Sequence, residues 1–187
     1  MSQSIEFFFD VVSPYSYLGA VQVARSSLLA HAQWRPFLLG GLLKATGNQP
    51  PIAVPAKVRY MTADLKRLFH YYDTPYQFPS VFPVNPLTAM RALCAAKPED
   101  IKPLALKLFA AYWGANRNIS DNAVLAELLP ADLLARAEEG SVKALLKANT
   151  DEAVQRGAFG APTFFIGDDM YFGEDRVFLL EHALKNR

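Results

Sequence analysis

The sequence predicts an α/β fold in which both chain ends supply one sheet and a large all-helical insertion lies between them. Three observations carry this. About the first forty residues read β-α-β, about the last thirty read β-β-α, and the stretch between is helical in pattern almost throughout. The chain has 187 residues. At that length a single domain buries roughly 70% of its unfolded surface and needs no disulfide or metal to hold a core. Hydrophobic residues are 51% and charged residues 20% of the chain, which excludes a disordered protein. A net charge of +1 excludes a strongly basic nucleic-acid binder.

Each element has its own warrant. Ile5 to Val12 is apolar and aromatic-rich and ends at Ser13-Pro14, which predicts a strand buried on both faces. Ser13-Pro14 opens a helix, because serine is a favoured N-cap and proline a favoured first helical residue. Tyr17, Leu18, Val21, Ala24 and Leu28 then keep helical spacing. Trp34 to Leu39 predicts a second strand, and the crossover is long enough for it to run parallel to the first. Gly40 to Pro55 reads as a loop, punctuated by Gly47-Asn48 and Pro50-Pro51. A helix is expected from about Ala56 to Tyr71, followed by an aromatic, proline-rich connector from Tyr76 to Pro86. Leu87 to Gly157 is helical, broken by Pro103, Asn116–Ser120, Pro130 and Gly140-Ser141, with Ser120-Asp121 and Ser141 as N-caps. Gly160-Ala161-Pro162 precedes a short apolar strand, Thr163 to Ile166. The turn Gly167-Asp168-Asp169 leads to a strand at Met170 to Phe172 and a closing helix at Glu174 to Lys185. There are no internal repeats and no low-complexity tracts. This is the layout of a thioredoxin-like fold, with a thioredoxin-like domain at 1–45 and 158–187 and a helical insertion domain at 46–157.

Several functions are excluded. With one cysteine, Cys94, neither an intrachain disulfide nor a dithiol redox couple is possible. A lone thiol fits a reducing compartment, and its place on an apolar helical stripe marks it as an inert core thiol. The apolar run Phe7 to Phe9 lacks the basic flank and length of a signal peptide, and no stretch approaches the ~20 apolar residues of a membrane span. Lys185-Asn186-Arg187 is no lipidation or retrieval signal. The expected location is the cytoplasm, with no membrane and no nucleic-acid partner. His31, His70 and His182 lie far apart, so no metal site is expected. Gly40-Gly41 lacks the spacing of a nucleotide loop, and no Gly-x-Ser-x-Gly elbow is present. The aromatic segments are not interleaved with a basic cluster and read as core.

The chemistry points to Ser13-Pro14-Tyr15-Ser16. It follows a buried strand at a helix N-terminus, where free amides and the dipole favour an anion. Thioredoxin-like redox proteins hold Cys-x-x-Cys there, and the helix end lowers the thiol pKa. This chain keeps the thiolate-stabilising corner and places serine where the thiols would be. Ser13 either caps the helix or donates to a thiolate that arrives with a ligand, and one hydroxyl can do both. In the same layout a cis-proline faces this corner, and the residue before it pairs strand-fashion with a bound peptide. That assigns backbone binding to Ala161, before Pro162. Glu174-Asp175 either matches the dipole of the last helix or offers a carboxylate to a ligand ammonium. Lys44, Asn48, Lys57 and Arg59 flank the proline-rich loop, as solvated surface or as partners for ligand carboxylates.

The residues also carry a resemblance. Phe8-Phe9-Asp10-Val11-Val12-Ser13-Pro14-Tyr15-Ser16-Tyr17-Leu18, Gly47-Asn48-Gln49-Pro50-Pro51, Phe82-Pro83-Val84-Asn85, Gly160-Ala161-Pro162-Thr163-Phe164 and Phe172-Gly173-Glu174-Asp175-Arg176 resemble the 2-hydroxychromene-2-carboxylate isomerase family in order and spacing. More distantly they resemble the kappa-class glutathione transferases. Both are DsbA-like members of the thioredoxin superfamily. The resemblance implies glutathione as cofactor and a small aromatic ketoacid as substrate, acted on by a homodimer. Ser13 would donate to the glutathione sulfur, and Asn48 and Lys57 would meet the glycine end. Ala161 and Pro162 would meet the cysteinyl backbone, and Glu174 and Asp175 the γ-glutamyl end, where the kappa pattern often has Ser-Asp. Lys44 and Asn85 would lie near the organic substrate. The implied reaction is cis/trans isomerisation of 2-hydroxychromene-2-carboxylate to trans-o-hydroxybenzylidenepyruvate by transient thiol addition. The alternatives are a kappa-like transferase, or a non-enzymatic thiol-peptide module on the same scaffold.

Overall fold

The computed structural model describes residues 4–50 and 53–186. Pro51 of the Pro50-Pro51 pair and Arg187 of the C-terminal tripeptide lie outside the described residues. Four strands form one mixed sheet in the order β2-β1-β3-β4. β1 (Ile5–Phe9) runs parallel to β2 (Gln33–Pro36), with Phe7 opposite Trp34, and antiparallel to β3 (Thr163–Ile166), with Phe7 opposite Phe164. A hairpin joins β3 to β4 (Asp169–Phe172). The expected parallel crossover is formed by α1 (Pro14–Arg25). Because successive strand side chains alternate faces, Phe7, Phe9 and Phe164 enter one core cluster and Phe8 and Phe165 another. Burial on both sides explains the uninterrupted apolar run of β1.

After the sheet's first half come α2 (Leu39–Thr46), α3 (Pro55–Tyr71), α4 (Leu87–Ala95) and α5 (Pro98–Phe109). A π-helical turn at Ala110–Gly114 extends α5. Then follow α6 (Asn122–Leu128), α7 (Ala131–Arg136) and α8 (Gly140–Gln155). A 3₁₀ turn at Glu174–Arg176 leads into α9 (Val177–Lys185) after the hairpin. One core cluster runs unbroken from Phe7 and Phe9 in the sheet to Phe109 and Trp113 and on to Leu125 and Leu133 in the inserted helices.

Six local expectations are corrected. The stretch 40–55 is not all loop, because α2 occupies its first part. The caps of α2 come from distant residues, so no local signal announces them. Asp10 Oδ2 accepts the Leu39 N–H at 2.9 Å, and Thr150 Oγ1 accepts the Leu38 N–H at 3.0 Å. Pro103 does not break a helix but sits inside α5, and the residue whose carbonyl it cannot pair, Glu99, is exposed. Ser141 is not an N-cap. Glu139 holds that position and α8 starts at Gly140. The second strand is Gln33–Pro36 and not Trp34 to Leu39, because Leu39 already opens α2, and β1 and α1 are also shorter than their patterns. β1 stops at Phe9 because the backbone turns, with the Ser13 N–H donating to the Asp10 carbonyl at 3.0 Å, and α1 ends at Arg25, before Leu28.

An ionic knot closes the sheet on one side. The Glu6 carboxylate receives Arg35 Nη1 at 2.6 Å and Arg156 Nη1 at 2.5 Å, and the Arg156 guanidinium lies 3.7 Å from the Phe165 ring centre. Glu6 is 12% exposed at its side chain, and its loss leaves Arg35 and Arg156 to share Glu152, which meets them at 2.5 Å and 3.2 Å. Because Glu152 still pairs with both arginines, Glu6→Gln is expected to destabilise the fold by about 1–2 kcal/mol, read as a fall in Tm of roughly 2–8 °C for a chain of this size.

Candidate active site

Ser13 is the N-cap of α1 and 4% exposed. Its Oγ accepts the Ser16 N–H at 3.1 Å and donates to the Ala161 carbonyl at 3.2 Å. The cap is therefore real, and the same hydroxyl aims its proton at the residue before Pro162. The Ala161-Pro162 peptide bond is cis. This contact joins residues 148 apart in the chain, so it is made by the fold and not by local sequence. Gly19 lets α1 pack closely here: a Cβ there would stand 3.2 Å from Pro162 Cγ and 3.3 Å from Phe164 Cζ, so a larger residue would crowd both side chains.

A cavity of about 720 Å³ opens in front of Ser13. Its walls come from the end of β1, the head of α1, α2, α3, the connector around Phe82–Leu87 and the segment Phe159–Ala161. It brings together Ser13, Asn48, Lys57, Asn85 and Ala161 from the sequence-derived set. Lys44 lies in an adjoining open recess that shares Asn48 and Gln49 with it. Pro162, Glu174 and Asp175 do not line the cavity among the described residues. Pro162 packs behind it against Gly19. Glu174 is buried, with its backbone carbonyl accepting Gln22 Nε2 at 2.9 Å. Asp175 pairs with Arg176 at 2.6 Å in the solvent-exposed zone. Asn48 Nδ2 donates to the Phe159 carbonyl at 2.8 Å, which clasps the end of α2 to the segment before Pro162. Asn85 Oδ1 accepts the Leu87 N–H at 3.1 Å and so shapes the connector's entry into α4.

The electrostatics favour an anion at Ser13. The first turn of α1 carries no acidic side chain, and its amides and dipole face the cavity; the nearby Asp10 carboxylate is itself held by the Val12 and Leu39 N–H groups. Tyr15, next to Ser13 on the cavity wall, has its phenol pushed up by burial and by the Asp64 and Glu174 carboxyls. It stays a protonated donor. Cys94 is a buried thiol pushed up to about 12, mainly by burial, and belongs to the α4 core. It is not a nucleophile for this site. Burial raises two carboxyls: Asp10 to about 6, against the pull of the Val12 and Leu39 amides, and Glu174 to about 7. For acids raised in the folded state, their share of stability is full at low pH and is lost as pH rises through these values.

Sequence reasoning missed Asp10, Tyr15, Phe159 and Phe172 as cavity walls. An acid closing an apolar strand is a usable signal for Asp10. The two phenylalanines carry none, because their rings meet, 4.5 Å between centres, only once the segment before Pro162 lies against β4. Gly160 makes room for that pair, since a Cβ there would lie 2.6 Å from the Phe172 ring.

Among the described residues, no cluster of three or more His, Cys, Asp or Glu is placed to hold a metal ion, and no helix is long and apolar enough to cross a membrane. The sheet order, the inserted helices and the paired Ser13 and cis-Pro162 define a thioredoxin-class protein with serine at its redox corner. The chain belongs to the DsbA-like thioredoxin-domain family, whose profile matches residues 4–185. It is 35% identical to Glutathione S-transferase kappa 1 of Homo sapiens, over 98% of this chain and 92% of that protein. It is 31% identical to 2-hydroxychromene-2-carboxylate isomerase of Sphingobium xenophagum, over 98% and 99% of the two chains. A solved 2-hydroxychromene-2-carboxylate isomerase structure superposes with a TM-score of 0.88 at 24% identity, covering 97% of this chain and 94% of that one, which supports the shared fold.

Proposed function

We propose that this protein is a glutathione-dependent isomerase that converts 2-hydroxychromene-2-carboxylate to trans-o-hydroxybenzylidenepyruvate. The observation that carries the reading is Ser13 at the head of α1, hydrogen-bonded to Ala161 on the wall of a roughly 720 Å³ cavity. The fit to glutathione rests on the donor set. A first helical turn free of acidic side chains suits a thiolate, the chain's own thiol is buried elsewhere, and exposed Lys57 and Asn48 at the rim suit a carboxylate. When bound, glutathione supplies a thiolate that adds reversibly to the enone of the ring-opened substrate, so that the double bond turns and the thiol leaves unchanged.

The chain's residues do the rest. Ser13 turns its hydroxyl proton from the Ala161 carbonyl to the ligand sulfur, and the freed carbonyl accepts the cysteinyl N–H. One hydrogen bond within the protein is thus exchanged for two to the ligand. Ser16 N–H still holds Ser13 Oγ in place during the exchange. Lys57 and Asn48 bind the glycine carboxylate, while Asp175 and Glu174, which stand outside the cavity at the start of the closing 3₁₀ turn, would take the γ-glutamyl ammonium beyond its rim. Lys44 and Asn85 hold the substrate's pyruvate carboxylate, and Lys44 offsets the charge that develops on its oxygen. The apolar walls exclude water around the aromatic ring. A single buried thiol suits a reducing cytoplasm.

A kappa-like transferase is the second reading, favoured by the 35% identity to the human kappa protein. One assay separates the two. Purified protein is mixed with glutathione and 2-hydroxychromene-2-carboxylate, and both product absorbance and free thiol are followed. Product formation with glutathione undiminished supports the isomerase, and loss of glutathione in step with substrate supports the transferase. No acceleration over glutathione alone overturns both.

A further inference from the structure

Asp10 is fully buried, lines the cavity beside Ser13 and has no place in the chemistry above. Its two carboxylate oxygens are both used. Oδ1 accepts the Val12 N–H at 3.1 Å and Oδ2 accepts the Leu39 N–H at 2.9 Å, while its backbone carbonyl accepts the Ser13 N–H at 3.0 Å. One residue therefore grips the turn that presents Ser13 and the first amide of α2. No side chain of α2's own neighbourhood caps that helix. At its other end α2 carries Lys44 and leads, through Gly47, to Asn48 on the cavity rim.

We propose that Asp10 is a positioning residue: its carboxylate ties the head of α2 to the Ser13 turn and so fixes where Lys44 stands in the adjoining recess and Asn48 on the cavity rim. Both N–H donors need an acceptor, and an ionised carboxylate offers one to each. A neutral carboxyl turns one oxygen into an O–H and loosens one of the two ties. Burial pushes Asp10 up to about 6, so the fold holds an ionised acid there at neutral pH against its own stability. The titratable side chains lining the cavity with Asp10 are Lys57 from α3 and Tyr15 from α1, and its shift comes from burial and the two amides. The ligand part of this inference rests on the glutathione reading, whereas the tie itself does not.

The test uses two readouts on the full chain. The first is amide hydrogen exchange of segment 38–48, corrected for intrinsic rates, at pH 5 and 7.5. The second is binding of S-methylglutathione, whose sulfur cannot titrate. In the wild type, protection of 38–48 and affinity should each fall about tenfold from pH 7.5 to 5. Asp10→Asn should be weak in both at either pH. Leu39→Pro removes the amide donor, is tolerated at a first helical position and leaves Asp10 intact, so it should reproduce the loosening if Asp10→Asn fails to fold. Glu174, raised to about 7, titrates in the same window. Glu174→Gln should bind more weakly yet keep the pH step in both readouts. A step that vanishes in Glu174→Gln, or 38–48 protection that is alike at both pH values in the wild type, overturns the inference. A pH step in protection with no S-methylglutathione binding at any pH upholds the tie and overturns the glutathione reading.

Discussion

Ser13→Ala is expected to lower glutathione-dependent turnover by about 10- to 150-fold, the worth of one hydrogen bond to a charged group at 1.5–3 kcal/mol. The loss belongs in the rate more than in binding, because the bond is strongest when the sulfur carries full charge. The substitution also removes the N-cap bond to the Ser16 N–H, worth about 1 kcal/mol, so Tm should drop by only roughly 2–4 °C. A large kinetic loss with a small thermal loss identifies a group that acts on the ligand. Equal losses in both would reduce Ser13 to its cap. Steady-state kinetics and a melting curve on the same preparation decide between them.

Trp113→Ala is expected to be the most destabilising single change, by about 4–6 kcal/mol, combining the cavity left by an indole with an unpaired buried carbonyl. Trp113 is fully buried in the π-helical turn, and its Nε1–H donates to the Val11 carbonyl at 2.9 Å. Its ring meets Phe82 at 5.6 Å and Tyr112 at 4.9 Å between centres, so it pins the inserted helices to the turn two residues before Ser13. Tm should fall by roughly 10–20 °C. Trp113→Phe keeps most of the bulk and loses the hydrogen bond, so it should retain the fold with about a third to a half of the penalty. Thermal unfolding of both variants checks this. A Trp113→Ala protein that melts within a few degrees of the wild type would show that the indole is not the clamp described.

The parts legible in the sequence were those with local causes. The aromatic run of β1, the Ser13-Pro14 helix opening, the Asp121 cap of α6 and the Gly167 hairpin turn all follow from residue types next to one another. The thioredoxin-like layout followed because those elements come in a restrictive order. What stayed hidden has distant causes. α2 is capped by Asp10 and Thr150 from two other elements, and its two glycines argue for loop until those partners are in place. Gly41 eases the close packing of α2 against Thr150, whose Cγ2 a Cβ would approach to 3.3 Å. The candidate site divides the same way. Ser13, Asn48, Lys57, Asn85 and Ala161 share a cavity, while Glu174 and Asp175 stand outside it, and the acid lining that cavity, Asp10, carries a role that shows only when β1 and α2 are seen side by side.

The most direct test of the central claim is the titration of bound glutathione, followed by thiolate ultraviolet absorbance in the protein complex. Cys94, pushed up to about 12 by burial, stays silent below pH 9 and leaves the ligand thiol as the signal. The head of α1 and the Ser13 hydroxyl should bring the thiol from near 8.5 toward neutrality, and Ser13→Ala should move it back up by about one to two units. A bound thiol that titrates as it does in free solution, in both proteins, would contradict the account.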